Sequence, residues 1–195
     1  MTTPMITVEV RLPRGWIEID PRVSDLDGDL RRAIRDEWGA DLNGDAGPYV
    51  AQLLGPAVVE LRRLAAAGDV VLVGLFCRVV PVEGVDIPLV FTANVVLAIS
   101  APGIGLRLLD DALPDGWRSR PVDLPAGPAV LITGDARVEG SDGAGAVPAR
   151  VRRYVIAVPG TDRLVTLAFL TPNLDLGDAF VDVFDAVAAS MTFGR

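Results

Sequence analysis

The chain has 195 residues, of which half are apolar and 23% charged, and its 26 acidic residues against 18 basic ones give a net charge of −8. That length supports a full core and a single domain over 1–195, the composition excludes a disordered chain, and an acidic surface repels nucleic-acid phosphates and anionic lipid. Every basic residue is arginine and histidine is absent, which excludes Ser-His and Cys-His nucleophile pairs, histidine-bound zinc or haem, Schiff-base lysines and the lysine-bearing phosphate loop.

In chain order, Ile6 to Leu12 alternates weakly, and after a Pro-Arg-Gly turn Trp16 to Asp20 alternates again. Two short strands around a turn are predicted. From Ser24 the spacing becomes helical: Leu30, Ile34 and Trp38 lie four apart, acidic residues come early, arginines later, and Gly39 stops the run. Residues 41–48 read as a loop. Val50, Leu53, Leu54, Ala57, Leu61 and Leu64 then keep one helical face apolar as far as Gly68, with a kink at Gly55-Pro56.

After Asp69 the pattern switches to Val70–Cys77 and Leu89–Ile99, two long strands joined as a hairpin. Gly103 to Leu113 reads as a short helix over the sheet, and Pro114-Asp115-Gly116 turns the chain into a polar connector. Ala129–Val138, Arg150–Val158 and Arg163–Thr171 predict an antiparallel meander, broken by the Gly/Asp/Ala loop at 139–147 and the Pro159-Gly160-Thr161-Asp162 turn. A last helix begins near Asp178, with Phe180, Val183, Phe184 and Val187 on one face and Asp182 and Asp185 facing away.

Val70–Cys77 and Leu89–Ile99 are apolar at nearly every position, so both faces of the sheet centre should be covered. The predicted fold is therefore α+β: an antiparallel sheet of about six strands with helices on both faces, an α/β/α sandwich. A homodimer that covers one face is the rival arrangement. The longest uncharged stretch, Ile87 to Leu106, contains Pro88, Asn94, Ser100, Pro102 and Gly103 and predicts a strand and a turn, so no membrane insertion is expected. The first ten residues lack the basic start and apolar run of a secretory signal, so a cytoplasmic protein is expected.

Candidate chemistry is sparse. Cys77, the one cysteine, sits in an apolar run and reads as a small buried hydrophobe. Glu9 with Glu18, or Asp110 with Asp111, would make an acid/base pair only if their surroundings split their pKa values; solvated carboxylates are the expectation. Asp25–Asp29 and Asp41–Asp45 resemble the start of a calcium loop, but the glycine comes too early, at the fourth place instead of the sixth, and the twelfth position is Asp36 or Gln52 instead of a bidentate glutamate. Gly103-Ile104-Gly105 and Gly143-Ala144-Gly145 lack the third glycine of a dinucleotide fingerprint. No metal, cofactor or catalytic residue is expected.

Leu12-Pro13-Arg14-Gly15-Trp16 recurs as Leu113-Pro114-Asp115-Gly116-Trp117, with an echo in Leu124-Pro125-Ala126-Gly127. The neighbours do not match, so these are read as turns, each tryptophan pinning its turn onto the core. Arg150, Arg152 and Arg153 form the one dense basic cluster. It reads either as a docking patch for an anion or a partner, or as a strand entrance paired with aspartates such as Asp135 or Asp142.

Leu12-Pro13-Arg14-Gly15-Trp16 near the start, the order of strands and helices, and the ending Ala188-Ala189-Ser190-Met191-Thr192-Phe193 together look like the Mog1/PsbP-like fold. Val158–Leu164, Thr171-Pro172-Asn173 and Phe184–Ala188 resemble segments of uncharacterised actinobacterial proteins of that type. Arginine in place of lysine throughout points to a high-GC, actinobacterial source. The resemblance implies an α/β/α sandwich and a non-enzymatic binding or assembly role, since members of that fold serve as adaptors. It carries no site residues over, and the absence of a lipoprotein cysteine near the start speaks against the exported members.

The expected function is a cytoplasmic binding or adaptor protein acting on a protein partner through its surface, beside a secretion or envelope system. The alternative is a small-ligand binder or enzyme that uses carboxylates and arginines in a pocket at the sheet edge.

Overall fold

The structure, a computed structural model, describes residues 7–21, 25, 32, 36, 70–80, 89–99, 113–139 and 146–194. Their elements in chain order are β1 (Thr7–Glu9), β2 (Trp16–Ile19), β3 (Val70–Val80), β4 (Leu89–Ile99), β5 (Arg118–Leu124), β6 (Gly127–Glu139), β7 (Ala146–Ala157), β8 (Leu164–Thr171), a 3-10 turn (Leu174–Leu176), α1 (Gly177–Ala189) and β9 (Thr192–Gly194). Seven strands form one antiparallel sheet in the order β2-β3-β4-β8-β7-β6-β5, and β1 pairs with β9 in a separate two-stranded sheet.

This corrects the expected architecture in two respects. The main sheet has seven strands instead of about six, and the described residues are mostly strand, with α1, on one face, as their one complete helix. Among the described residues the sheet carries a helix on one face, not on both. The apolar runs did report burial correctly: Val95 and Leu97 are buried on the α1 face, and Val73, Leu75 and Cys77 on the other. A dry strand face, however, does not say what dries it. On the α1 side the cover is shared between the helix and extended chain, with Val8, Val10, Leu12 and Phe193 packed against the same core. The helices predicted over 24–39, 50–68 and 103–113 lie largely outside the described residues; of those described within them, Arg32 and Asp36 are helical.

The hairpin of β3 and β4 and the meander β6-β7-β8 form as their patterns predict. The first two strands form too, yet not with each other: β1 joins β9, and β2 joins β3. β8 leaves the sheet at Thr171, whose Oγ accepts a hydrogen bond from the Asn173 backbone N–H at 3.2 Å, and the chain turns into α1. Asp178 in the first turn of α1 suits the positive end of its dipole.

The apolar stripe of α1 lies on the sheet through aromatic rings. Phe184 stacks on Phe169 of β8 at 4.5 Å between centroids and on Phe180 at 5.7 Å, while Phe180 meets Phe76 of β3 edge-on. Phe169, Phe184, Val187 and Met191 are almost fully buried, each such side chain contributing roughly 1.5–3 kcal/mol. At the helix end Ser190 Oγ accepts the Arg11 N–H at 2.9 Å and donates to the Val187 carbonyl at 2.7 Å, tying the segment after β1 to α1. No helix among the described residues is long and apolar enough to cross a membrane.

The two Leu-Pro-x-Gly-Trp segments are turns, each leading into an edge strand. Trp16 N–H donates to the Pro13 carbonyl at 3.3 Å and Trp117 N–H to that of Pro114 at 3.1 Å, with Gly15 and Gly116 at φ of 86° and 83°, which glycine adopts without strain. Each indole then leans on a glycine of the neighbouring strand. A Cβ on Gly74 would lie 3.2 Å from the Trp16 ring, and one on Gly134 would lie 2.5 Å from Trp117 Cγ. Trp16 sits on the α1 face and Trp117 on the opposite one.

Candidate functional site

Strand register decides which side chains meet. Arg118 of β5 lies opposite Thr133 of β6, Thr133 opposite Arg152 of β7, and Arg152 opposite Phe169 of β8, which faces α1. In the next row Asp135 is opposite Arg150 and Arg150 opposite Thr171. Because side chains alternate along a strand, all of these project on the α1 side. There all of them but Phe169 line a groove of about 340 Å³ between β5–β7 and the Val181–Phe184 flank of α1.

The three arginines of the groove differ in how firmly they are held. Arg152, its side chain 12% exposed, donates from Nη2 to Asp185 Oδ1 at 2.5 Å and from Nε to the Tyr154 hydroxyl at 2.6 Å. The Tyr154 hydroxyl in turn donates to Asp185 Oδ1, closing a triangle that clamps α1 to β7. Burial, reinforced by the hydrogen bond to Asp185, raises the Tyr154 pKa well above its ordinary value and keeps the phenol neutral. Among the described residues Arg150 pairs only with Asp135, at 3.4 Å, with side chains 39% and 62% exposed, a pairing that solvent screens to about 0–1 kcal/mol. Arg118 is exposed and makes no ion pair among the described residues.

The sequence cluster of Arg150, Arg152 and Arg153 is therefore divided. Arg150 and Arg152 share the groove; Arg153 projects from the other face, its guanidinium 5.0 Å from the centre of the Trp117 ring. Pairing of the cluster with Asp135 is observed. Asp185, expected to face away, instead turns toward β7. Arg118, Thr133 and Tyr154 were not singled out from the sequence. The signal for Arg118 was there in the alternation of Arg118-Ser119-Arg120, but Pro121 and Asp123 made that strand read as a connector.

The other candidates contribute nothing to this site. Glu9 and Glu18 stand exposed on strands of different sheets. Asp110, Asp111, Gly103–Gly105, Gly143–Gly145, Asp142 and the calcium-like segments, apart from Asp25 and Asp36, lie outside the described residues. Among the described residues no group of His, Cys, Asp and Glu could hold a metal ion. Cys77 is 3% exposed and burial pushes its thiol up to about 12, so it serves as a core hydrophobe.

No family model matches the chain, and no curated protein matches it. The Mog1/PsbP-like resemblance thus has no support from that side. Among solved structures the chain is similar to LpqN of Mycobacterium tuberculosis, described as involved in cell envelope biogenesis. The likeness spans 98% of this chain and 85% of LpqN, at 13% identity and a TM-score of 0.47, too low for a fold or a role to be transferred.

Proposed function

We propose that this chain is a non-enzymatic binding protein of the adaptor or assembly kind whose working surface is the groove between α1 and β5–β7. One observation carries the reading: in a chain of net charge −8, Arg118, Arg150 and Arg152 converge on one groove, and only Arg152 is firmly engaged by the protein itself. Guanidinium groups exposed in a concavity are suited to recognition, because their planar forks bind carboxylates and phosphates bidentately. Tyr154, held neutral and hydrogen-bonded on both sides, serves as a strut instead of a base. The Asp135–Arg150 contact in the groove is what a second reading, catalysis by carboxylates and arginines, would use. A setting beside an actinobacterial secretion or envelope system is part of the proposal; the arginine-only basic composition supports the actinobacterial source alone.

Affinity purification of the tagged protein from its host, with Arg150→Glu and Arg153→Glu alongside, tests the reading. Components that bind through the groove are expected to persist with Arg153→Glu and to drop out with Arg150→Glu. Identical recoveries from all three chains would remove the groove as the working surface. Turnover of any co-purified small molecule would favour the catalytic reading.

A further inference from the structure

We infer that the chemical group received in the groove is an oxyanion, a carboxylate or a phosphate on a small organic molecule, held between Arg118 and Arg150, with Asp135 as the internal anion it displaces. The inference rests on the groove being the working surface proposed above.

Charge points to this class first. Arg118 and Arg120 of β5, Arg137 of β6, and Arg150 and Arg152 of β7 occupy positions of one parity in register, and so one side of three adjoining strands. Asp135 on β6 and Asp185 on α1 are the carboxylates that pair with arginines there. Glu139 of β6 holds a position of the same parity and Asp178 and Asp182 stand on α1, so the attraction for an anion is local to the groove, whose lining holds Arg118, Arg150 and Arg152 against Asp135.

The division of labour among the arginines narrows the class. The triangle with Asp185 and Tyr154 satisfies Arg152 and fixes the floor. Arg118 brings a guanidinium without an ion-pair partner among the described residues, and Arg150 brings one whose single long contact is to a mostly exposed carboxylate. Replacing that carboxylate with an incoming one exchanges like for like, so the barrier to displacement is small. Arg118 and Arg150 stand two strands apart and one row out of register, about 12 Å between their backbones, a diagonal that two long arginine side chains can span around one oxyanion. Thr133, on the strand between them, places a hydroxyl on the same lining. A volume of about 340 Å³ is that of a small-molecule site, larger than a single ion needs.

The test is isothermal titration of the full chain with inorganic phosphate and, separately, succinate, at low ionic strength. Saturable binding of at least one probe is expected, and the probe that binds identifies phosphate or carboxylate as the group. Affinity should fall at least about tenfold in Arg118→Gln and in Arg150→Gln, as loss of a charge-assisted bidentate contact implies, and stay unchanged in Arg153→Gln. Asp135→Asn should bind about fourfold more tightly, the effect of removing one solvent-screened charge from beside the ligand. Thermal unfolding of each variant shows that it is folded. Absence of saturable binding to both probes, or equal affinity in the parent and both arginine variants, overturns the inference. If the probes fail while Arg150→Glu still strips components in the purification above, the groove remains the working surface and the oxyanion assignment alone is wrong.

Discussion

Replacing Gly134 by alanine places a methyl group where the Trp117 indole lies, 2.5 Å from its Cγ and 2.7 Å from its Cδ1. Backbone cannot give way in the middle of β6, so the indole must move, and with it the Arg153 guanidinium stacked 5.0 Å above the ring. Overpacking of this kind costs about 1–3 kcal/mol, and loss of an exposed cation–π contact about 0.5–1 kcal/mol. Alanine gives back about 0.4–1 kcal/mol by restricting the unfolded chain. The net loss is about 2 kcal/mol, which lowers Tm by roughly 4–8 °C for a chain of this size. Urea titration followed by circular dichroism reads it directly, in the parent and in a Trp117→Ala background, where the methyl group meets no ring and the loss should vanish. Equal costs in the two backgrounds, or a Gly134→Ala protein within about 0.5 kcal/mol of the parent, would refute the claim that the indole is seated on the glycine.

Tyr154→Phe removes the hydroxyl shared by Arg152 and Asp185 and should destabilise the fold by about 1–2 kcal/mol in denaturant; an unchanged midpoint would show that the triangle does not clamp α1. The same residue predicts an alkaline limit. Its folded pKa is raised, so its contribution is complete below the ordinary value of 10.0 and is lost as pH climbs past it. Cys77 acts in the same direction from 9.0 upward, so the comparison belongs in a Cys77→Ala background, where Tyr154→Phe should flatten the fall in Tm above pH 10 and an equally steep fall would contradict the assignment. Thiol titration at pH 8 should find native Cys77 nearly inert and the urea-unfolded thiol fully reactive, since a pKa of about 12 in place of 9.0 leaves about a thousandfold less thiolate; comparable native and unfolded rates would place the thiol outside the core.

The strands that carry the sheet centre were legible because their residues do one job. Val70–Cys77 and Leu89–Ile99 are apolar at nearly every position, and the meander from Ala129 to Thr171 is punctuated by a Gly/Asp/Ala stretch and a Pro-Gly turn, so pattern and structure coincide. β5 was not legible. An edge strand pairs on one side only, so it tolerates Pro121 and carries Arg118, Arg120 and Asp123, the composition of a connector. β9 is three residues long and exists because β1 lies beside it, a pairing across most of the chain that no local pattern encodes. The groove was half visible. Arg150 and Arg152 stood out as a cluster, but strand alternation sends Arg153 to the other face, and the register that brings Arg118 and Asp135 alongside is a property of the folded sheet. Asp185 was read as solvent-facing because its helical neighbours set the apolar stripe; its position one step beyond Phe184 puts it over β7, within reach of Arg152.

The most direct test of the binding groove is a residue-resolved one: backbone amide shifts of the isotope-labelled protein during titration with succinate or phosphate. The largest changes are expected at Arg118, Thr133–Asp135 and Arg150–Arg152, with Trp16–Ile19 at the far edge of the sheet unmoved. Shifts centred on that far edge, or scattered without a focus on β5–β7, would contradict the account.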